Sequence, residues 1–241
     1  LILIDDGFSA LASAIGEGQR ILNGMQDILR VFLTRILTLG MLILVLMTSG
    51  FFPVDLRNAS AITLFTVGIP TALLAIWSRP GPFLGESLLR TLAKFVLPAA
   101  SLASIIGLLV VTGVFLVGDA DFEAGLTTEQ AVEDAAKTSV TVFLILVGML
   151  VVVFTEPPVK FLAVIEPLSP DWRPTWLALS LTAALGIVLL VPPFREFFNL
   201  HPLSIRDLAI VFGGVLAWAV LVWVFWRWRF VERFLGVDTK G

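Results

Sequence analysis

The stretch EGQRILNGMQDILRVFLTR, residues 17–35, begins with charged and polar residues and ends in the first of several long hydrophobic runs. Apolar side chains recur in and around it at spacings of three, four and seven residues, which is the period of an amphipathic helix packed on one face. These apolar positions are Leu11, Ile15, Leu22, Met25, Leu29 and Phe32. The pattern predicts a stalk helix over 10–30 that continues without interruption into a membrane span.

The composition is that of a membrane protein. Of the 241 residues, 58% are hydrophobic and 15% are charged, and the mean hydropathy is +0.98. Soluble domains are roughly half apolar and about a quarter charged, so the sequence predicts an integral membrane protein with the lipid bilayer as its first partner. The net charge of −3 comes with no basic stripe, which excludes nucleic acid as a partner. The absence of cysteine excludes disulfides and thiolate metal sites.

Six stretches of about 20 mostly apolar residues are long enough to cross a bilayer as helices. They cover approximately 31–50, 59–78, 95–117, 139–155, 175–193 and 207–226. An even number of spans puts both termini on one side, and twelve of the sixteen Lys and Arg residues fall on that side, which the positive-inside rule assigns to the cytoplasm. The predicted fold class is therefore all-α: a six-helix polytopic membrane domain, residues 31–241, with a long cytoplasmic stalk helix.

The second span contains the most informative segment, TLFTVGIPTALLAI, residues 63–76. Pro70 has no N–H and so frees the carbonyl of Thr66, four residues earlier, while Gly68 loosens the helix beside it. Broken helices lined with carbonyl and hydroxyl oxygens coordinate cations in transporters. The freed carbonyl and the hydroxyls of Thr63 and Thr66 are therefore candidate metal ligands in the backbone region of Pro70. The alternative is a simple proline kink in which the threonines bond back to their own helix.

Charged residues near the spans have structural interpretations as well as functional ones. Arg35 lies one turn into the first span, where it would either snorkel to the cytoplasmic surface or remain in the membrane as a fixed positive charge. The connection 118–138 is acidic and is predicted on the outer face. It is either a run of solvated charges or a surface that gathers cations loosely. Glu156 closes the fourth span as an interfacial residue, and His201 lies in an outer connection; neither is assigned as a ligand.

The stretch LILIDDGFSALASAIGEGQRILNGMQDILRVFLT, residues 1–34, resembles the junction in P-type cation-transporting ATPases where the phosphorylation domain ends and the long stalk helix enters the membrane. GIPTALLAI, residues 68–76, is similar to the Gly-Leu-Pro segment of the following span in that family. With the six spans, the resemblance covers the whole chain. It implies that residues 1–9 are a remnant of the cytoplasmic phosphorylation domain, with LILIDD as its last strand, and that the chain is the C-terminal half of a longer pump.

The resemblance implies a pump driven by ATP. In that family, phosphorylation of an aspartate drives alternating access, and the stalk helix carries the motion to cation ligands in the membrane. The Asp-Lys-Thr-Gly phosphorylation motif is absent from these 241 residues, so no catalytic or cofactor-binding residue is assigned and the segment is expected to be inactive alone. ATP and Mg²⁺ are expected as cofactors of the full-length pump. The partners implied are the transported cation and the missing N-terminal half.

The chain also departs from the well-studied calcium pumps. Aligned on the Gly-Ile-Pro, those pumps have an acid at Val67 and an amide at Thr63, although Thr66 agrees with their threonine. Their amide and acid on the stalk helix fall on Ile36 and Leu39. Such carboxylate-poor helices resemble a bacterial branch that includes calcium exporters. The resemblance therefore implies a bacterial inner-membrane location and calcium as the first choice of cation, ahead of magnesium, manganese or a monovalent ion.

The alternative comes from a different class of protein. A non-enzymatic multipass membrane protein would have the same hydropathy. It would be a passive transporter, or a scaffold subunit whose stalk binds a separate soluble partner.

Overall fold

The computed structural model describes residues 8–78, 88–117, 128–158 and 171–228, and every regular element in these ranges is helical. Helix α1, Phe8–Met47, has 40 residues and is about 60 Å long at a rise of about 1.5 Å per residue. It contains the predicted stalk and the first span in one uninterrupted helix. The strand expected at LILIDD lies outside the described residues.

Six helical segments are long and apolar enough to cross a membrane, which confirms the predicted all-α polytopic class. The second is divided into α2, Leu56–Thr63, a π turn, Leu64–Gly68, and α3, Ile69–Trp77. The other helices are α4, Leu88–Val117; α5, Thr128–Thr155; α6, Arg173–Leu190; α7, Pro192–Phe197; and α8, Ile205–Arg227. The helices α4 and α5 begin before the predicted spans at 95 and 139, because a helix continues into water where hydropathy no longer marks it.

Helix α5 is the centre of the bundle. In its most apolar stretch 89% of the residues are buried, against 50% or less in the other five spans. It contacts α1, α2, the π turn, α4, α6 and α8. A helix that is hydrophobic on all sides is a buried helix, and the run VTVFLILVGMLVVVF, residues 140–154, has that composition.

The stalk is joined to the bundle by Arg30, which is 4% exposed. Its guanidinium lies 5.7 Å from the centroid of the Phe95 ring, and its Nη1 is 3.0 Å from Asp27 Oδ1. Phe95 packs against Trp226 with 4.8 Å between ring centroids, and Trp226 packs against Phe154 at 5.2 Å. Helices α1, α4, α5 and α8 therefore meet in one aromatic cluster at the stalk end.

The opposite end of the bundle is joined by charged and amide side chains. Lys137 Nζ of α5 lies 2.9 Å from Glu133 Oε1 and 3.8 Å from Asp55 Oδ2, just before α2. Asn199 Nδ2, after α7, donates to the same Asp55 carboxylate at 3.3 Å. Asn58 of α2 is buried, and with its side-chain amide turned so that the nitrogen faces Asn199 it donates to the main-chain carbonyl of Asn199 at 3.0 Å. The start of the second span is thus attached to α5 and to the connection that leads into α8.

The acidic connection 118–138 is only partly within the described residues, since 118–127 lie outside them. In the described part, Glu133 pairs with a lysine as above, and Asp134 Oδ2 lies 3.6 Å from His201 Nε2. These acids have basic neighbours within the protein. No group of three His, Cys, Asp or Glu side chains able to hold a metal ion is found in the described ranges.

Gly148 of α5 faces Thr66 of the π turn so closely that a Cβ on the glycine would lie 2.5 Å from Thr66 Cγ2 and 2.8 Å from Thr66 Cβ. We predict that Gly148→Ala lowers the free energy of unfolding by about 1–3 kcal/mol, because overpacking forces the two helices apart. Thermal unfolding of the purified protein in detergent measures this change.

Gly186→Ala in α6 is the matched control for this substitution, because an added Cβ there meets nothing within 4 Å. The double variant Gly148→Ala/Thr66→Ser lacks the crowded methyl group and should recover part of the lost stability. Equal melting temperatures for Gly148→Ala and the wild type would contradict the tight contact between α5 and the second span.

Candidate cation site at the second span

The second span is interrupted by the π turn Leu64–Gly68, in which a backbone N–H donates to the carbonyl five residues earlier. Pro70 follows two residues after the turn. Because proline has no N–H, neither Thr66, four residues earlier, nor Phe65, five residues earlier, receives a backbone hydrogen bond from it. Turns of this kind are rare and are frequent at functional sites. The sequence predicts an interruption here, and the structure gives it the form of a widened helical turn.

The threonines of this span donate their hydroxyl protons to their own helix. Thr63 Oγ1 lies 2.6 Å from the Ala59 carbonyl oxygen, and Thr66 Oγ1 lies 2.6 Å from that of Ile62. This back-bonding is the structural alternative to cation binding that the sequence leaves open. The two roles are compatible, because a hydroxyl that donates its proton keeps lone pairs that can ligate a cation.

Thr63 and Thr66 have different surroundings, although a spacing of three residues predicts that they face the same ion. Thr66 is 2% exposed and packs on Gly148 of the central helix. Thr63 is exposed at the surface of the described part, and its Oγ1 accepts a hydrogen bond of 2.5 Å from Arg35 Nη2 on α1. Of the two predicted ligands, only Thr66 lies in the protein interior.

Arg35 lies near the middle of the bundle, as distances along the two helices from the stalk end indicate. Gly24 and Ser78 are in contact at the stalk end, where a Cβ on Gly24 would lie 2.9 Å from Ser78 Cβ. At 1.5 Å per residue, Arg35 lies about 16 Å along α1 from that contact, and Met47 lies about 34 Å along it. Thr63 lies about 22 Å from the contact along its own span. The hydrogen bond therefore draws the guanidinium away from the stalk end, which favours a fixed charge inside the span over snorkelling.

The environment of Arg35 provides little compensation for its charge. Its Nε atom is buried and has no hydrogen-bond partner. Within the described ranges, no carboxylate lies within ion-pair distance of its guanidinium; the ion pairs found there involve other bases. A guanidinium stays charged under all conditions that proteins meet, so this positive charge is permanent.

Three further buried hydroxyls lie on α1 and α4, and the sequence analysis did not single them out. Thr34 Oγ1 donates to the Arg30 carbonyl and Thr38 Oγ1 to the Thr34 carbonyl, both at 2.7 Å. Ser104 Oγ of α4 donates to the Ala100 carbonyl at 2.8 Å and to the Thr38 carbonyl at 3.2 Å, across the helix interface. The sequence does contain a signal for Thr34 and Thr38, because two threonines four residues apart in an apolar run share one helix face.

The oxygens around the second span that could bind a cation belong to hydroxyl and carbonyl groups, which carry no net charge. Ile36, where the resemblance places an amide in calcium pumps, is 46% exposed on the bundle surface. A divalent cation 5 Å from a guanidinium is repelled by roughly 7 kcal/mol at an effective dielectric constant of about 20. The hydroxyl of Thr63 is therefore a poor place for a divalent cation while Arg35 donates to it. The buried Thr66 hydroxyl and the backbone beside Pro70 are the better part of the candidate site.

The chain is similar, over its own whole length, to curated ATPases. No family model matches it. It is 23% identical over 251 residues to the calcium-transporting ATPase CtpE of Mycolicibacterium smegmatis, and this alignment covers 100% of the chain and 29% of that protein. The proteins of the same name from Mycobacterium bovis and Mycobacterium tuberculosis are also 23% identical, each over 253 residues. The chain spans 29% of the length of these curated relatives.

This similarity agrees with the resemblance to the membrane region of P-type ATPases. Together with the six apolar helices, it indicates a multi-pass membrane protein. Because the alignment covers less than a third of the relatives, the activity of the whole protein is a matter for proposal.

Proposed function

We propose that this chain is the membrane part of an ATP-driven P-type cation pump, with calcium as the first choice of cation. The observation that carries the proposal is the similarity to calcium-transporting ATPases along the entire chain. The 40-residue helix α1 supports it, because such a helix can transmit movement from a soluble domain to the depth of the membrane. The π turn beside buried hydroxyl oxygens is the part of the chain where we expect the cation to bind.

The half of the second span nearer the stalk is fastened to the stalk itself. Arg20 Nη2 donates to the Ile76 carbonyl at 2.9 Å, and Ser78 Oγ donates to the Arg20 carbonyl at 2.7 Å. Gly24 permits a close approach of α1 to Ser78. Helix α3 therefore follows the stalk when the stalk moves.

The start of the second span is fastened away from the stalk, although Thr63 at the end of α2 accepts a hydrogen bond from Arg35 of α1. Asp55, at the start of α2, is held by Lys137 and Asn199, and neither of these residues belongs to the stalk helix. The π turn lies between the two attachments. In this proposal a shift of the stalk moves α3 against the start of α2, and the span would bend near Thr66. Such bending changes which oxygens line the site, as alternating access requires.

The energy source of this pump lies outside the chain. The residues present offer neither the Asp-Lys-Thr-Gly motif nor a phosphate-binding loop, so ATP and Mg²⁺ do not fit any site described here. We therefore expect the isolated chain to form no acid-stable, hydroxylamine-sensitive phosphoenzyme from labelled ATP. Phosphoenzyme on the isolated chain would contradict the division of roles between this part and the rest of the pump.

We further propose that both termini face the cytoplasm of a bacterial cell, with the chain in the inner membrane. The proposal is supported by the twelve basic residues on the side of the termini against four on the other.

The absence of cysteine makes this orientation easy to test in intact cells. We predict that a cysteine at Ser13 resists a membrane-impermeant thiol reagent, whereas one at Ser49 is labelled. Both positions are exposed in the structure and lie at opposite ends of the first span. Labelling after cell lysis controls for the reactivity of each cysteine. Labelling of the cysteine at Ser13 alone in intact cells would contradict the proposed orientation.

The cation site is tested in the full-length pump with Thr66→Val and Pro70→Ala. The first removes a hydroxyl with little change of shape, and the second restores a backbone donor to the carbonyls of the π turn. We predict that each lowers the apparent affinity of phosphoenzyme formation for the cation by about tenfold, equivalent to about 1.4 kcal/mol. A calcium titration of phosphoenzyme formation measures this affinity.

Thr71→Val is the matched control for Thr66→Val. Thr71 donates to the Val67 carbonyl at 2.6 Å in the same way, but it lies beyond the π turn toward the stalk. We expect its calcium titration to match the wild type. If Thr66→Val and Pro70→Ala also match the wild type, the π turn has a structural role and the cation site is elsewhere.

A further inference from the structure

Arg35 carries a permanent charge near mid-depth of the bundle, directly beside a predicted cation ligand. Its Nη2 donates to Thr63 Oγ1, whose proton is already donated to the Ala59 carbonyl. One lone pair of the Thr63 oxygen is thus taken by a cationic donor. A guanidinium has five N–H donors and no acceptor, so it can replace a metal ion at this oxygen but cannot help to bind one.

We propose that the Arg35 guanidinium is a tethered cation that occupies the Thr63 side of the second span and excludes a transported cation from it. Transported cations are then confined to the buried side of the span, at Thr66 and the backbone near Pro70. This inference rests on the proposed function, and it makes Arg35 the residue that limits how many cations the span binds and how tightly.

The Thr63 side and the Thr66 side of the second span differ in burial, as the proposal requires. Thr66 is 2% exposed against the central helix and is separated from the exposed Thr63 by less than one turn of the widened helix. The guanidinium is held from two directions, by its aliphatic stem on α1 and by its hydrogen bond to the second span. Its buried Nε lacks a partner, and the described residues place no carboxylate within ion-pair distance to neutralise it. Its positive charge therefore repels a cation that approaches Thr63.

The experiment compares Arg35→Gln, Arg35→Met and Arg35→Lys in the full-length pump. Phosphoenzyme formation from ATP is measured as a function of free calcium, and bound radioactive calcium per phosphorylation site is measured by filtration. We expect the two neutral variants to raise the apparent calcium affinity at least tenfold and to increase the calcium bound per site. We expect Arg35→Lys, which keeps the charge, to stay within threefold of the wild type.

Arg57→Gln is the matched control, because it removes the same charge from an exposed position at the far end of the span. Arg35→Met serves if Arg35→Gln does not accumulate, since a methionine tolerates an apolar environment. Neutral variants with the same calcium curve as Arg35→Lys, or with lower affinity than the wild type, would overturn the tethered cation. A wild-type pump without any cation-dependent phosphoenzyme would instead contradict the proposed function.

Discussion

A lipid interior has no water to satisfy backbone polar groups, and the architecture of this chain follows from that constraint. Each described span is helical, so almost every N–H and C=O group is paired within its own segment. Pro70 breaks this pairing in the second span, as Pro98 does inside α4, and a carbonyl left without a donor in an apolar medium costs several kcal/mol. The π turn Leu64–Gly68 absorbs the break without ending the span. This interrupted turn lies beside α5, the most buried helix.

The packing around this point explains why the break is tolerated. Thr66 lies on Gly148, and the absence of a side chain on the glycine lets the second span approach α5 closely. Helix α3 is attached to the stalk through Arg20 and the start of α2 to the opposite end through Asp55. Thr63, at the end of α2, is bonded to Arg35 of α1. A helix that is held at both ends and interrupted between them bends at the interruption. In the proposed pump, movement of the stalk would bend the second span at this interruption.

Much of this arrangement could be predicted from the sequence, because hydropathy and helical period act locally. The six spans, the continuity of the stalk with the first span and the interruption near Pro70 all follow from short windows of residues. The partner of Arg35 could not be predicted, because its contact with Thr63 joins residues 28 positions apart. Thr34 and Thr38 were missed because their hydroxyls bond within one helix and give no charge signal. The contact between the π turn and α5 joins distant parts of the chain, so a single segment does not encode it.

Positive charge at the candidate site would be uncompensated by the oxygens described there. A divalent cation beside Thr66 and the guanidinium of Arg35 together carry three positive charges, and hydroxyl and carbonyl oxygens do not neutralise them. Neutral oxygens alone bind calcium less tightly than sites that include acids. The described spans supply hydroxyls here but no carboxylate close to Arg35. A pump built on these helices therefore needs negative charge from another part of the protein, and the curated relatives, of which this chain spans 29%, are long enough to contain it.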